Sequence, residues 1–484
     1  MQIKTTKDKR VPVQPKNLAE WEGIKKELYE TIRFSSSVEL LKHDVPLNPS
    51  VTLAAEYEDF VIENVILQTL PGFYLAGNIY RPKDTSKKYP VILNPHGHWP
   101  NGRIDQSELA ELPKRYANFA MRGMVVFAYD MLGYNDTNQI EHRVFKEEYE
   151  LYNYGRFSLQ LNNSRKALDF VCALPYADTE KIGCTGASGG GTQTFFLTAF
   201  DERIRAAAPI NMVSAIMQGG CICENTAVLR TEYCNVEDAM MAAPRHVFIA
   251  SSDGDWTVHS RELEFPAIQS LYALYGAEDK FTPYYRSAPH CYEKCTREEV
   301  YTFFCKAFGV TDAFDGEVDI DIDVAPLTVG GIPAFENKIQ SEEELFAVAK
   351  KIIETNIAAL DADAKKEICK RVFVLDKTLD FDIPYLKEYS VEKECVMLGN
   401  CPENVQTLEA KYYHTYNYAE DTKRVNGLVK LFEKYPDAEY HASGKTAALC
   451  RIAEEITGKR NLILSDPDEN NIHIPGYALY KLSK

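Results

Sequence analysis

The chain has 484 residues, 45% of them hydrophobic and 26% charged, and a formal net charge of −17 at pH 7. That length allows two or three domains with cores of their own, and the acidity disfavours nucleic acid and anionic membranes as partners, because a polyanion repels another. The 12 cysteines are scattered rather than spaced as a disulfide framework, Met1 to Arg10 is polar and basic with no apolar stretch behind it, and no run is long enough to span a bilayer. The expectation is a cytoplasmic protein with reduced thiols, whose state of homo-oligomerisation is left open.

An N-terminal segment, 1–50, carries an amphipathic helix from Leu18 to Arg33 and then loops through Pro46 and Pro49. Phe60 to Thr69 and Phe73 to Tyr80 are β-rich and joined by Leu70-Pro71-Gly72, a hairpin signal. After Arg81-Pro82 strands and helices alternate. The predicted strands are Val91 to Leu93, Met124 to Tyr129, Lys181 to Cys184, Arg205 to Ile210, His246 to Ser251 and Phe281 to Arg286. The predicted helices are Leu109 to Met121, Phe157 to Leu174, Thr192 to Phe200, Arg261 to Tyr275 and Arg297 to Phe308. This alternation implies a mostly parallel, twisted sheet flanked by helices, an α/β architecture over residues 51–310, with a cap-like insertion over 211–245. Reactive groups in such sheets sit in loops beyond the carboxyl ends of the strands.

Residues 311–325 form an acidic linker: Asp312, Asp315, Glu317, Asp319, Asp321 and Asp323 stand together with no basic residue. The run reads as solvated linker or edge strand, since a calcium loop needs a glycine and glutamate spacing it lacks. Beyond it, 326–484 reads as a second, smaller α/β domain. Helices are predicted over Glu342 to Leu360, Val425 to Tyr435 and Lys445 to Ile456, with strands at Arg371 to Leu375 and Leu462 to Leu464.

The chemistry centres on Gly186-Ala187-Ser188-Gly189-Gly190, which lies between an apolar strand and an apolar helix and fits the G-x-S-x-G nucleophile elbow. Small neighbours are required because the strand reverses sharply into the helix; the serine hydroxyl is then held clear of the sheet. A serine needs a base, and the base needs an acid to fix its tautomer. In chain order the acid loop comes next, Ser252-Asp253-Gly254-Asp255-Trp256-Thr257, where Asp255 is the expected acid and Asp253 the alternative. His290 follows just past the next strand and is the expected base, with His259 a weaker rival. The amides of His98 and Gly189 are the expected oxyanion donors. His96 and His98 could also begin a metal site with Asp130, but the pair lacks further ligands, so no metal and no cofactor are expected. Trp99 and Trp256 fall in the same loops and serve either as a stacking platform for a sugar or as packing. Glu224 and Asn225, in the insertion, either line the pocket or brace their loop. Cys221-x-Cys223 is too loosely spaced to define a metal or redox pair and reads as structural thiols.

With elbow, acid and base in this order, residues 50–310 resemble the α/β-hydrolase superfamily, and most nearly its bacterial acetyl xylan esterase-like members. The likeness is carried by Pro95-His96-Gly97-His98-Trp99, by Val125 to Tyr134, by Gly186 to Thr194, by Gln218 to Asn225 and by Gly254-Asp255-Trp256-Thr257. It implies a Ser188, Asp255 and His290 triad and a small-molecule or carbohydrate ester as substrate. One departure is Asn135-Asp136-Thr137, where relatives usually have Gly-Asp-Ser. A peptidase of the prolyl-oligopeptidase type is the alternative on the same triad, though no propeller-like repeats precede it; a scaffold on a hydrolase fold is the non-catalytic one. The second domain resembles a shortened, degenerate copy of the same fold, with Ser443 where an elbow would stand but no glycine two residues before it. Gly444-Lys445-Thr446 resembles the tail of a phosphate loop without its leading glycine.

Overall fold

The side chain of Asn17 starts the first helix by accepting the Glu20 amide at 2.9 Å, and the helix, α1 (Leu18–Ser36), buries Trp21, Leu28 and Ile32. The computed structural model describes residues 10–143, 146–226, 228–230, 232–335, 337–372, 390–392, 395–397, 415–437, 439–459, 462–468, 472 and 474–484. After α1 come β1 (Ser50–Glu56), β2 (Phe60–Leu70), β3 (Phe73–Pro82), β4 (Tyr89–Pro95), α2 (Leu112–Met121), β5 (Val125–Tyr129), α3 (Glu147–Glu150), α4 (Arg156–Cys172) and β6 (Ala177–Ala187). They are followed by α5 (Gly189–Phe200), β7 (Ile204–Ile210), α6 (Asn235–Met240), β8 (His246–Gly254), α7 (Glu264–Tyr275), β9 (Phe281–Pro289) and α8 (Lys294–Phe308). The remainder is α9 (Glu342–Ala358), α10 (Ala362–Val372), β10 (Ser390–Glu392), β11 (Cys395–Met397), α11 (Thr415–Lys434), β12 (Glu439–Ser443), α12 (Gly444–Thr457), β13 (Leu462–Pro467) and α13 (Tyr477–Ser483).

Nine strands form one sheet in the order β1-β2-β3-β5-β4-β6-β7-β8-β9. The pairs from β1 through β3 to β5 are antiparallel, and every pair from β5 onward is parallel. Both faces are covered, which explains the near-continuous apolar runs of the central strands. The two-residue period sorts their side chains: Ile92, Val126 and Ala128 pack toward α2 and α8 with Tyr116, Phe119 and Phe304. Val91, Leu93, Val125 and Phe127 point the other way, onto Leu168 and Val171 of α4. Such a sheet leaves its carboxyl edge free for loops, which is where the candidate site lies.

Four more strands make a smaller sheet, β10-β11-β12-β13, parallel except between β10 and β11. There β12 runs through Gly444, at φ +56°, into α12, a strand-turn-helix at the place expected for a degenerate elbow. Lys445, in that turn, pairs with Asp421 at 2.9 Å.

Several elements differ from expectation. Strand β1 was not among the predicted elements; it pairs antiparallel with β2 at the edge of the sheet, and its side chains are mostly exposed, so no burial pattern marks it. The predicted strand at 371–375 begins on the end of α10, and 373–375 lie outside the described residues. The acidic run is fastened rather than solvated throughout. Glu317 grips Arg297 through two bonds of 2.6 and 2.7 Å, Asp312 meets Arg122 at 3.0 Å, and Ile322 and Leu327 are buried beside α2 and α8. No helix among the described residues is long and apolar enough to cross a membrane.

Candidate active site

The turn from β6 to α5 holds Ser188 at φ 56°, ψ −124°, a strained backbone for a residue with a side chain. Its amide donates to Ile210 O at 3.1 Å and its carbonyl accepts from Thr192 at 3.0 Å, so both sides of the turn are tied. The flanking glycines are needed for close approach: a Cβ on Gly186 or on Gly190 would lie 2.3 Å from Pro95 O. Strand β6 therefore packs against the end of β4 as only glycine permits, and Ser188 stands at the positive end of the buried helix α5.

Asp255 and His290 follow the ends of neighbouring strands, β8 and β9, and meet: His290 Nδ1 lies 2.8 Å from Asp255 Oδ2. The other Asp255 oxygen accepts from the Thr257 amide at 2.7 Å and the Thr257 hydroxyl at 2.5 Å. Asn211, at the end of β7, donates from Nδ2 to Asp255 Oδ2 and to Ser252 Oγ, while its Oδ1 accepts from Arg286 at 3.0 Å. Burial alone would raise the Asp255 carboxyl, but the bonds from His290, Thr257 and Asn211 outweigh it and hold the group below its ordinary value. Asp253 does something else: its Oδ1 accepts the Ala288 amide at 3.1 Å, bracing β9. His259 is placed in the turn 3.0 Å behind the Glu262 and Leu263 amides, where its carbonyl starts the approach to α7.

Trp256 and Trp99 both pack on the imidazole of His290, at ring-centroid distances of 4.4 and 6.4 Å. Gly97 lies beside the elbow: a Cβ placed on it would stand 3.3 Å from both Ser188 Cβ and Trp99 Nε1. The two tryptophans, read as a platform or as packing, lie beside the histidine, Trp256 the nearer of the two. Glu224 and Asn225, read as lining the pocket or bracing their loop, make hydrogen bonds that brace the loop. Glu224 accepts the amides of Gly220 and Cys221 at 2.6 and 2.8 Å, and Asn225 donates to Gln218 O at 2.6 Å and accepts from Arg230 at 3.2 Å.

The metal set weighed from sequence is not assembled. His96 is buried, its Nε2 accepts the Met131 amide at 2.8 Å, and its Nδ1 therefore donates to Gly97 O at 2.6 Å; burial lowers its pKa to about 3. Asp130 pairs with the buried Arg103, which also meets Asp136 at 2.7 Å. His98 points elsewhere, against the first turn of α5, where a Cβ on Gly189 would lie 2.8 Å from its Cε1. There it joins His142, Cys221 and Cys223, whose donor atoms all lie within 4.8 Å of one another. Spacing along the chain did not indicate that these four side chains come together. His142 had no motif to mark it, and it stands 44 residues from His98.

Residues 72–264 match the family described as X-Pro dipeptidyl-peptidase (S15 family), a span that contains Ser188 and Asp255 and ends before His290. Among solved structures, the methylesterase BT1017 is similar at 26% identity and a TM-score of 0.58, over 72% of this chain and 78% of that one. An acetyl xylan esterase from Paenibacillus sp. R4 is similar at 18% identity and a TM-score of 0.40, over 61% and 97% of the two chains. YtaP of Bacillus subtilis (strain 168), described as a hydrolase, is 26% identical over 169 residues, 33% of this chain. That alignment takes in 56% of the relative's own length. Sheet order, elbow and the likeness to BT1017 define the class by its architecture: this chain has the α/β-hydrolase fold, with a smaller α/β unit at its C-terminal end.

Proposed function

We propose that the chain hydrolyses carboxylic esters, with Ser188 as nucleophile, His290 as base, Asp255 as the acid that orients it, and the amides of His98 and Gly189 as oxyanion donors. The observation that carries the reading is the 2.8 Å bond between His290 Nδ1 and Asp255 Oδ2. A carboxylate there keeps the proton on Nδ1 and leaves Nε2 with a lone pair to take the serine proton. Ser188 Oγ attacks the ester carbonyl, the oxyanion meets the two amides, and imidazolium returns the proton to the departing alcohol. Water, deprotonated by the same imidazole, then cleaves the acyl-enzyme. None of these steps calls for a cofactor.

The ester is read as a small acyl group, acetyl or similar, on a carbohydrate; the likeness to a methylesterase supports a small ester. The match to a dipeptidyl-peptidase family favours one second reading, an aminoacyl amide on the same triad. A fluorophosphonate probe should label the chain covalently, and Ser188→Ala should abolish the labelling. Absence of labelling in the wild-type chain would leave a scaffold instead of an enzyme. Acetylated xylo-oligosaccharides, methyl-esterified uronic acids and X-Pro amides, assayed side by side, then separate the substrate classes. Turnover confined to the amides would overturn the esterase.

A further inference from the structure

Three separate stretches converge beside the candidate site. His98 comes from the loop after β4, His142 from the loop after β5, and Cys221 and Cys223 from the segment between β7 and β8. His98 Nε2 lies 3.2 Å from His142 Nε2, His142 Nε2 lies 3.2 Å from Cys221 Sγ, and Cys223 Sγ lies 3.3 Å from His98 Nε2. Ligands at tetrahedral zinc distances, about 2.0–2.1 Å for nitrogen and about 2.3 Å for sulfur, stand roughly 3.3–3.8 Å from each other. Three of the six separations among the donors are close to that spacing, and all six lie within 4.8 Å.

Their surroundings point the same way. His142 Nδ1 lies 2.7 Å from Leu132 O; as the donor of that bond it carries the proton, and Nε2 presents a lone pair to the cluster. Glu224 holds the cysteine loop through the Gly220 and Cys221 amides.

We propose that His98, His142, Cys221 and Cys223 bind one Zn²⁺ in a closed, four-ligand site that fastens the segment between β7 and β8 to the loops after β4 and β5. Two sulfurs and two imidazoles select zinc over calcium or magnesium, which take oxygen ligands. With four protein ligands the ion has no open position, so it acts as a clasp. Both cysteines bind as thiolates, any thiol proton passes to solvent, and the two negative charges balance the ion. Because His98 is a ligand, the clasp also fixes the loop that carries the proposed oxyanion amide.

The test uses the full chain. After chelation under reducing conditions, Co²⁺ should bind at one equivalent, giving thiolate-to-cobalt charge-transfer bands and the intense visible bands of tetrahedral cobalt, and Zn²⁺ should displace it. Cys223→Ser and His142→Gln should each weaken zinc binding by more than the about 10–100-fold that a change outside the ligand shell costs. Cys172→Ser, away from the cluster, should bind as the wild type does. Ser188→Ala should bind zinc fully, which keeps this result separate from the fate of the esterase reading. No saturable uptake by the wild-type chain, uptake indifferent to Cys223→Ser and His142→Gln, or a Cys221–Cys223 disulfide in place of metal would overturn the site. Should the ligand variants fail to fold, the cobalt spectrum of the wild-type chain decides alone.

Discussion

Asp255 accepts bonds from His290, Asn211 and both the amide and the hydroxyl of Thr257, more partners than a carboxylate needs merely to be satisfied. The arrangement fixes which oxygen faces the imidazole, so Asp255→Asn should leave the fold intact and lower kcat by about 10⁴-fold through the wrong tautomer. Steady-state kinetics with a small acetyl ester reads this, and a loss under tenfold would remove Asp255 from the triad. The same bonds have a stability consequence with a definite sign. A carboxyl held below its unfolded value of about 3.9 contributes stability above that pH and loses it as pH falls through the lower folded value. Urea unfolding should therefore separate the wild type from Asp255→Asn at neutral pH, and the gap should close in acid below the ordinary carboxylate range. The turn at Ser188 and the pairing of Asp255 with His290 were legible because each residue follows a strand in a recognisable order. Asn211 and Arg286 were not, because their part depends on β7, β8 and β9 lying side by side. Spacing along the chain does not record which strands are neighbours.

The elbow is the element whose local sequence and tertiary setting agree most closely. Gly190 is helical by position yet must be glycine, because Pro95 O occupies the space a side chain would need, at 2.3 Å from a Cβ. Gly190→Ala should cost at least about 1–3 kcal/mol, as overpacking against backbone does, and shift Ser188 with it. Chemical denaturation gives the first figure and fluorophosphonate labelling rate the second; wild-type values for both would contradict the contact. Other elements were legible in proportion to what they bury. The alternating strands β4 and β5 feed two cores and show themselves, whereas β1 has mostly exposed side chains and offers no pattern. The acidic segment misled for the opposite reason. Glu317 looks like a solvated charge until Arg297, 20 residues earlier, is seen to hold it. Composition identifies the charges but not their partners.

At the scale of the molecule, the two sheets share apolar packing. Leu70, Phe73, Tyr149 and Tyr154 from the larger unit lie in one buried cluster with Leu345, Ala349 and Ile353 of α9 and with Leu428 and Phe432 of α11. Arg156, itself buried, grips Glu342 at the start of α9 through bonds of 2.9 and 2.6 Å. The strap before α9 is held likewise: Leu327 O accepts from Arg103, and Asp136 takes the Gly331 amide at 2.8 Å. Asp136, in the Asn135-Asp136-Thr137 stretch that departs from relatives, thus joins the buried Arg103 to the strap that leads toward the second sheet. Units coupled through one core should unfold together. Leu345 is fully buried in that cluster, so Leu345→Ala should cost about 2–5 kcal/mol. If the coupling holds, calorimetry should show one transition, and the variant should lower it for the whole chain, with loss of the proposed esterase activity on heating moving by the same interval. Two separated transitions, of which Leu345→Ala moved one while the activity-bearing one stayed in place, would show instead that the C-terminal unit is stabilised independently of the hydrolase sheet.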